Sequence, residues 1–368
     1  MRVLQVTPKF FPSIGGVETH VFELSKHISL LGVEVDILTT DIISYKTMQR
    51  FRISSNDSVI RTRGFKILPL PEGVSIVAPS MLRYITCNYD IVHLHGYGSF
   101  PTFLAPLFSI GERKVVITTH SDEGLPSIRK RIFDIVAPRF SLDHASKVIA
   151  VSEHERRVLL KLGVEEQKIE VIPNGVDPEL LKISRKSEHG RKVLYVGRVN
   201  FRQKGLDILL LAIRKLVDRL QGFELEIAGP PDEIDILNSY SRKLGIEGIV
   251  RYYGTVPRKK LIDLMKHADL LVLPSRFEPF GIVVLEAMAI GLPVVAAKVG
   301  GIPEVLRERV DGLLFPPEDI ESLALNIEEL LTDTRMAEKL ASNAKERASS
   351  FTWDKIALRL MALYKQLC

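Results

Sequence analysis

Two cations in the second half of the sequence have residue types and a spacing that suit a diphosphate. Arg198 follows the predicted strand KVLYVG, and Lys204 lies at the predicted start of the next helix. The helix dipole disfavours a cation at that position by about 0.3–1 kcal/mol unless an anion shares the site. The two side chains could therefore clamp a diphosphate; the alternative is a pair of solvated basic side chains on a surface loop.

A carboxylate interrupts an apolar helical pattern further along the chain. Glu286 lies inside the segment GIVVLEAMAIGL, whose predicted helix opens at Gly281. A buried carboxylate is costly without hydrogen-bond donors, and the vicinal hydroxyls of a ribose would supply them. The N–H groups of Gly281, Ile282 and Val283 would face a phosphate. The alternatives are that Glu286 caps a neighbouring loop or pairs with an arginine.

A second acid, Glu278, lies eight residues before Glu286. If one helix carried both acids, a rise of about 1.5 Å per residue would separate them by about 12 Å. Paired glycosidase carboxylates are only about 5–9.5 Å apart. We therefore expect that the two acids do not flank one scissile bond.

A glycine pair in the first half could also receive an anion. Gly15 and Gly16 open a predicted helix after the first predicted strand. Glycines let a ligand approach the backbone, and N–H groups at a helix start favour negative charge. A turn that only lets the helix pack on the sheet remains an equal alternative.

Histidines near the ends of first-half strands suggest a competing chemistry. His93, His95, His120 and Asp122 could be ligands of a hydrolytic metal ion. An HxH pair at a strand end is often structural, however, and no Asp-x-Asp sequence lies near a strand end. We expect neither a bound metal nor another cofactor.

The elements that must position these residues alternate along the whole chain. Short β-branched runs alternate with helical patterns, such as the one from Glu18 to Leu31, which predicts an α/β protein with parallel sheets. The predicted strands are Val3 to Val6, Val33 to Thr39, Ile91 to Leu94, Lys114 to Thr118, Lys147 to Val151, Ile169 to Ile172, Val193 to Val196, Glu224 to Ala228, Ile249 to Tyr253, Leu270 to Leu273, Val294 to Ala297 and Leu313 to Phe315.

The length of 368 residues predicts two domains at about 150 residues each. A break rich in turn formers and charge follows Ile172, from PNGVD onward. We therefore predict two doubly wound domains at residues 1–172 and 173–350. A last helix, residues 351–368, is expected to return to the first domain.

Composition excludes several classes of protein. The chain has 46% hydrophobic and 26% charged residues, which excludes disordered and collagen-like sequences. A net charge of +5 is too small to demand nucleic acid. Only Cys87 and Cys368 are present, and we find neither a signal-peptide pattern nor an apolar run of about 18 residues. We therefore expect a cytoplasmic protein.

Basic segments of the first domain could contact an anionic surface. The polar region from Ser44 to Arg63 is predicted to be a mobile excursion, and the segment IRKRIFDIVAPRF interleaves cations with apolar residues. The first alternative is a solvated face, and the second is peripheral contact with an anionic bilayer that carries the acceptor. The cations concerned are Arg50, Arg52, Arg61, Arg63, Arg129, Lys130 and Arg131.

Taken together, these motifs resemble the family-four glycosyltransferases, retaining enzymes of the GT-B fold that use nucleotide-diphosphate sugars. The resemblance rests on EPFGIVVLEAMAIGLPVVA followed by VGGIPEV, with the Gly15-Gly16 loop, His120, PNGVD and the Arg198-Lys204 pair in the family's order. It covers nearly the whole chain. The resemblance implies two Rossmann-like domains that face each other across a cleft.

The resemblance also implies a role for each motif. Gly16 would approach the donor diphosphate, which Arg198 and Lys204 would bind. Glu286 would hold the ribose, and Glu278 would bind hydroxyls of the transferred sugar. The remaining implied sites are His120 on the sugar side and the loop from Arg251 to Val256 beside the base. The sequence THSDEG departs from the family's commoner His-Asp pairing, which leaves the role of Asp122 open.

Two other functions remain as alternatives. A GT-B sugar-nucleotide epimerase shares the fold and donor chemistry but lacks the Glu278-to-Glu286 arrangement. A sensor that binds a nucleotide sugar without turnover is the second alternative. The acceptor is expected to be a hydroxyl of a sugar, a glycolipid or a phosphorylated polyol, and the sequence does not identify it.

Overall fold

A computed structural model of the protein describes residues 1–42, 58–66, 76–84, 87–111, 113–120, 141–186 and 191–368. These residues form two compact units. The first is Met1–Gly175 together with Trp353–Cys368, and the second is Val176–Thr352. The predicted boundaries at 172 and 350 lie within a few residues of these limits.

The described part of the first unit contains one large parallel sheet and a two-stranded antiparallel sheet. Its strands are β1 (Arg2–Val6), β2 (Glu34–Thr40), β3 (Ser58–Thr62), β4 (Phe65–Lys66), β5 (Ile76–Val77), β6 (Ile91–His95), β7 (Lys114–Thr118), β8 (Lys147–Ala150) and β9 (Ile169–Val171). The large sheet has the order β3-β2-β1-β6-β7-β8-β9, and β4 pairs with β5.

Helices cover this sheet because each presents an apolar stripe to it. Helix α1 buries Val21, Leu24 and Ile28, which recur at the helical spacing predicted from the sequence. The helices with described bounds in the first part of the chain are α1 (Gly16–Leu30), α2 (Phe100–Phe103), α3 (Ala105–Phe108) and α4 (Glu153–Lys161).

Part of the predicted mobile excursion is a strand. Residues from Ser44 to Arg63 were expected to lack regular structure, yet β3 pairs in parallel with β2, with Ile37 opposite Val59. Most of β3 is exposed, so its side chains show little hydrophobic periodicity. The strand forms because β2 offers a hydrogen-bonding edge, which the local pattern does not reveal. Residues 43–57 lie outside the described residues.

The described part of the second unit contains a parallel sheet in the order β12-β11-β10-β13-β14-β15, the nucleotide-binding Rossmann order. Its strands are β10 (Lys192–Val196), β11 (Glu224–Ala228), β12 (Val250–Tyr252), β13 (Leu270–Leu273), β14 (Val294–Ala297) and β15 (Leu313–Phe315). Its helices are α5 (Pro178–Leu181), α6 (Phe201–Lys204), α7 (Leu206–Val217), α8 (Ile234–Lys243), α9 (Arg258–His267), α10 (Ile282–Ile290), α11 (Ile302–Val305), α12 (Ile320–Thr332) and α13 (Thr334–Ala348).

The strand order of each sheet determines where a ligand can bind. In the first sheet, successive strands are added on one side of β1 up to β3 and then on its other side from β6 onward, so the strand order reverses at the β1/β6 pair. In the second sheet it reverses in the same way at the β10/β13 pair. At such switch points the connecting segments leave toward opposite faces, which opens a crevice at the carboxyl ends of the strands. The fold thus places the loops after β1, β6, β10 and β13 at the two candidate binding edges.

The last helix, α14 (Trp353–Leu367), belongs to the first unit and packs against α1. Its buried Ile356 and Leu360 share one apolar cluster with Leu24 and Ile28 of α1. At the start of α14 the fully buried Trp353 covers Gly175. This contact leaves no room for a side chain at position 175.

We predict that Gly175→Ala destabilises the first unit. An added Cβ would lie 2.6 Å from Cδ2 and 2.9 Å from Cα of Trp353, and the backbone atom cannot rotate away. Overpacking of this kind typically costs about 1–3 kcal/mol. Urea unfolding of the variant should show a lower midpoint than the parent. Gly248→Ala is the matched control, because a Cβ there meets open space, and an equal effect of both substitutions would contradict the prediction.

Candidate functional site

The carboxyl edge of the second sheet gathers most of the residues singled out in the sequence. Arg198 follows β10, the 253–256 loop follows β12, and Glu278 lies between β13 and α10. All these strands are parallel, so their carboxyl ends lie along one edge. The residues come together here although 80 positions separate Arg198 from Glu278 in the sequence.

Lys204 and Glu278 form a direct ion pair at this edge. Lys204 Nζ donates to Glu278 Oε2 over 2.7 Å, and the side chains are only 15% and 14% exposed. Ser275 Oγ lies 3.4 Å from the same oxygen. The expectation that Lys204 opens the next helix is wrong: Lys204 ends the one-turn helix α6, and Gly205 separates it from α7. The sequence suggested that a bound anion balances the charge of Lys204; in the structure the carboxylate of Glu278 does so.

Arg198 is held beside the same edge by polar neighbours. Its Nη2 donates to Gln203 Oε1 over 2.5 Å, and its Nη1 lies 3.7 Å from Asp232 Oδ2. The side chain remains 36% exposed. The guanidinium is therefore accessible to a solvent-borne anion.

The backbone around Glu278 is fixed by the loop after β14. Gly301 N–H donates to the Glu278 carbonyl over 3.1 Å. Gly300 has φ +52°, and a Cβ there would lie 2.0 Å from the same carbonyl oxygen. Only glycine fits this close approach, so the sequence VGGIPEV positions Glu278 through backbone contact rather than through side chains.

Glu286 lies on α10 and is only 6% exposed. Its Oε1 accepts a hydrogen bond from Nη1 of Arg258, the first residue of α9. Of the alternatives left open by the sequence, the structure shows the pair with an arginine. The 12 Å separation assumed for Glu278 and Glu286 does not apply, because the helix begins at Ile282 and Glu278 precedes it in a loop.

The N-terminus of α10 lies beside these acids. Gly281 is its N-cap with φ +93°, a left-handed conformation that glycine adopts without strain. The first N–H groups of a helix have no intrahelical acceptor. Anion binding by the N–H groups of Gly281, Ile282 and Val283 stays a prediction.

The loop that was expected to border a base is shorter than predicted. Arg251 belongs to β12 rather than to the loop, and its Nη2 donates to Glu224 Oε1 over 2.6 Å at the surface. Of the predicted loop 251–256, residues 253–256 lie beyond the end of the strand, and they include Val256. The predicted roles of Arg251 and Val256 stay predictions.

In the first unit, Gly15 and Gly16 stand where the sequence places them, at the start of α1. A Cβ at Gly15 would lie 2.2 Å from Glu18 Oε2, whereas a Cβ at Gly16 would meet no atom within 4 Å. The backbone at Gly16 is therefore open to a ligand, and its part in binding one stays a prediction.

His120 follows β7 and has φ 50°, which is uncommon for a residue other than glycine. Its ring contacts His20 at 4.5 Å and His95 at 5.7 Å between centroids. His93 stacks on His95 with ring centroids 4.3 Å apart, but both of its nitrogens are engaged elsewhere: Nδ1 bonds to the Tyr364 hydroxyl at 2.6 Å and Nε2 to the Thr118 hydroxyl at 2.7 Å. The cluster therefore contains His20 in place of the expected His93, and Asp122 lies outside the described residues.

The basic residues of the first unit are only partly described. Arg61 of β3 donates from Nη2 to the carbonyl of Phe11, in the segment that leads to Gly15, and burial lowers the pKa of its guanidinium. Arg50, Arg52 and the run at 129–131 lie outside the described residues, so their predicted surface contact stays a prediction. Within the described ranges, no helix is both long and apolar enough to cross a bilayer.

Sequence reasoning missed two residues of these sites. Arg258 gives no local signal, because its carboxylate partner lies 28 positions away. His20 lies on the apolar stripe of α1 and looks like an ordinary core histidine in the sequence. Only the tertiary structure, which brings its ring against those of His95 and His120, reveals its neighbours.

Two family models match the chain. "Glycosyl transferases group 1" matches residues 176–347, and "Glycosyltransferase Family 4" matches residues 14–180. The two matches fall on the second and first units respectively, and they include the loops described above.

Two curated relatives match along nearly their whole length. An uncharacterized glycosyltransferase of Methanocaldococcus jannaschii is 30% identical, over 99% of this chain and 98% of its own. A phosphatidyl-myo-inositol mannosyltransferase of Mycolicibacterium smegmatis is 28% identical, over 99% of this chain and 94% of its own. Among solved structures, Anabaena HepE in complex with UDP-glucose has a TM-score of 0.77 at 24% identity and covers 100% of both chains.

We predict that Arg258 stabilises the ligand-free second unit more than Arg251 does. Glu286 is 8% exposed at its side chain, so removing its cation leaves a buried acceptor unpaired, at a cost of about 1–3 kcal/mol. The Arg251 and Glu224 side chains are 59% and 32% exposed, and such a pair contributes about 0–1 kcal/mol. Urea unfolding of Arg258→Met and Arg251→Met measures the difference, and equal losses would contradict the prediction.

Proposed function

The chain belongs to the glycosyl transferases group 1 family and is a glycosyltransferase of the GT-B fold, and from this we propose the following reaction. The protein transfers a hexosyl group from a nucleotide-diphosphate sugar to an acceptor hydroxyl. The transfer retains the anomeric configuration and needs no divalent metal ion. The observation that carries the proposal is the Lys204–Glu278 pair, which sets a cation and an acid 2.7 Å apart at the ligand-binding edge of a Rossmann sheet.

The cations support a leaving group that is a diphosphate. Arg198 and Lys204 both lie at the carboxyl edge of the second sheet: Arg198 precedes the short helix α6, and Lys204 is its last residue. Negative charge grows on the diphosphate as the bond to the sugar breaks, and prearranged cations lower the energy of that state. Two cations and the N-terminus of α10 can supply the stabilisation that a divalent ion supplies elsewhere.

The two acids would contact different parts of the nucleotide sugar. Glu278 lies beside the cations and would accept hydrogen bonds from hydroxyls of the transferred sugar, which orients the anomeric carbon. Glu286, one helical turn inside α10, would accept from the ribose hydroxyls. Because Arg258 donates a hydrogen bond to Glu286, binding of the nucleotide sugar would replace the guanidinium with ribose hydroxyls as the hydrogen-bonding partners of that carboxylate.

The acceptor is proposed to be a phosphorylated polyol, either free or as a lipid headgroup. The name of the mycobacterial relative specifies a phosphoinositol lipid. In the first unit, Arg61 lies at the end of β3 against the segment that precedes Gly15. The Arg61 side chain is exposed, so an acceptor phosphate could reach its guanidinium and form charge-assisted hydrogen bonds with it.

A transfer assay tests the proposal. The full chain is incubated with UDP-glucose or GDP-mannose and with myo-inositol 1-phosphate, phosphatidylinositol vesicles or unphosphorylated inositol. We expect an α-linked product by NMR from an α-configured donor, a preference for a phosphorylated acceptor, and turnover unchanged by EDTA. A β-linked product or loss of turnover on chelation would contradict retention or metal independence. Inversion at C2 of the donor would indicate an epimerase, and binding without turnover a sensor.

We further predict that Glu286→Gln weakens donor binding while the fold survives. Glutamine keeps the volume but loses charge-assisted hydrogen bonds worth about 1.5–3 kcal/mol each. Calorimetric titration with the active donor should show a loss of about 10-fold to 100-fold in affinity. Glu328→Gln, the same change in a surface ion pair of α12, serves as control. Unchanged affinity in Glu286→Gln would reject the ribose role.

A further inference from the structure

Three imidazoles of the first unit lie together at the carboxyl end of its sheet. His95 ends β6, His120 follows β7, and His20 lies in the second turn of α1. One ring nitrogen of each lies within 4.8 Å of the other two. Three segments that are far apart in the sequence thus direct nitrogen donors toward one point.

His20 presents a nitrogen that the described protein leaves unpartnered. Its Nδ1–H donates to Asn174 Oδ1 over 2.6 Å, so Nε2 carries a lone pair. The residue is 2% exposed, and Nε2 has no hydrogen-bond partner among the described residues. A buried imidazole nitrogen with a lone pair and no partner can accept a hydrogen bond or bind a metal ion.

His95 is oriented in the same manner. Its Nε2–H donates to Gln5 Oε1 over 2.6 Å, which leaves the lone pair of Nδ1 directed at His120 Nε2, 3.4 Å away. Histidines that ligate a metal typically donate their outer N–H to a carbonyl or carboxylate, which fixes the ring. Asn174 and Gln5 provide such amide carbonyls for His20 and His95.

The distances suit a tetrahedral transition-metal ion. Metal–nitrogen bonds of about 2.0–2.1 Å at tetrahedral angles place two ligand nitrogens about 3.4 Å apart, which is the distance from His95 to His120. The third nitrogen, from His20, lies within 4.8 Å of the other two. Within the described residues the cluster contains imidazoles alone, which suit Zn²⁺ or Cu²⁺ and not Mg²⁺ or Ca²⁺.

Protons compete little for these nitrogens. Burial lowers the pKa of His20 to about 4 and holds the pKa values of His95 and His120 well below 6.5. His120 is the least buried of the three and gives the ion access from solvent.

We propose that His20, His95 and His120 form a binding site for one Zn²⁺-class ion, with a fourth position left for water. A consequence rests on the proposed function: the ion engages Nε2 of His120, the residue expected on the sugar side, and therefore inhibits glycosyl transfer. The site is distinct from donor binding, which is proposed to need no metal. Added Zn²⁺ should inhibit, whereas a chelator should not.

Metal uptake by the full chain tests the site without any sugar substrate. Chelator-treated protein is titrated with Zn²⁺ by calorimetry and with Co²⁺ by visible absorption. We expect one ion per chain and the intense d–d bands of tetrahedral Co²⁺, with no uptake of Mg²⁺. His120→Ala should weaken Zn²⁺ binding by at least about 100-fold and abolish the Co²⁺ bands. His144→Ala, which removes an exposed histidine of the same unit, should change neither.

A second variant tests the metal site without removing an imidazole. Asn174→Ala leaves all three imidazoles in place but removes the carbonyl that orients His20, and it should weaken binding by about 10-fold to 100-fold. Absence of uptake, or equal uptake by the parent and His120→Ala, would overturn the proposal and leave the cluster as a hydrogen-bonded imidazole group. Because these measurements use no donor, their failure would leave the proposed transfer reaction intact. Failure of the transfer assay would likewise leave the metal site standing.

Discussion

The parallel arrangement of every strand in the two large described sheets is the constraint on which the sites depend. It places all carboxyl ends on one edge of each sheet and sends the connecting helices to both faces. At the β1/β6 and β10/β13 pairs the chain leaves in opposite directions, so the crevice cannot be filled by a crossing helix. The residues with useful chemistry lie at these edges: Gly15, His95 and His120 in the first unit, and Arg198 and Glu278 in the second.

Charge balance organises the second unit's edge before any ligand binds. Each of two partly or fully buried carboxylates is neutralised by one cation, Glu278 by Lys204 and Glu286 by Arg258. An uncompensated buried charge would be strongly destabilising. Each carboxylate has further lone pairs that can accept hydrogen bonds. A sugar nucleotide brings phosphates for the cations and hydroxyls for the acids, so it can replace these contacts without leaving either charge bare.

The carboxyl edge of the first unit's sheet differs, because its buried titratable groups are neutral imidazoles rather than ion pairs. His20, His93, His95 and His120 are all depressed in pKa by burial, and their mutual proximity disfavours protonation further for the last three. Such a group offers lone pairs rather than charge. Trp353 and Tyr364 of α14 contact His20 and His93, so the last helix helps to enclose the cluster. The two units thus present different chemistry: cations and acids in one, and neutral imidazoles in the other.

The sequence alone determined the alternation of strands and helices and the division into two units, because these depend on periodicity and on local composition. It also singled out Arg198, Lys204, Glu278 and Glu286, whose roles stay predictions. It could not reveal β3, whose exposed side chains carry little pattern. It did not identify Arg258 as the partner of Glu286. It suggested His93 as a possible metal ligand, whereas the structure has His20 in that group. The physical reason is the same in each case. Which segments meet is decided by strand order and helix packing, which join Lys204 to Glu278 across 74 positions and His20 to Asn174 across 154.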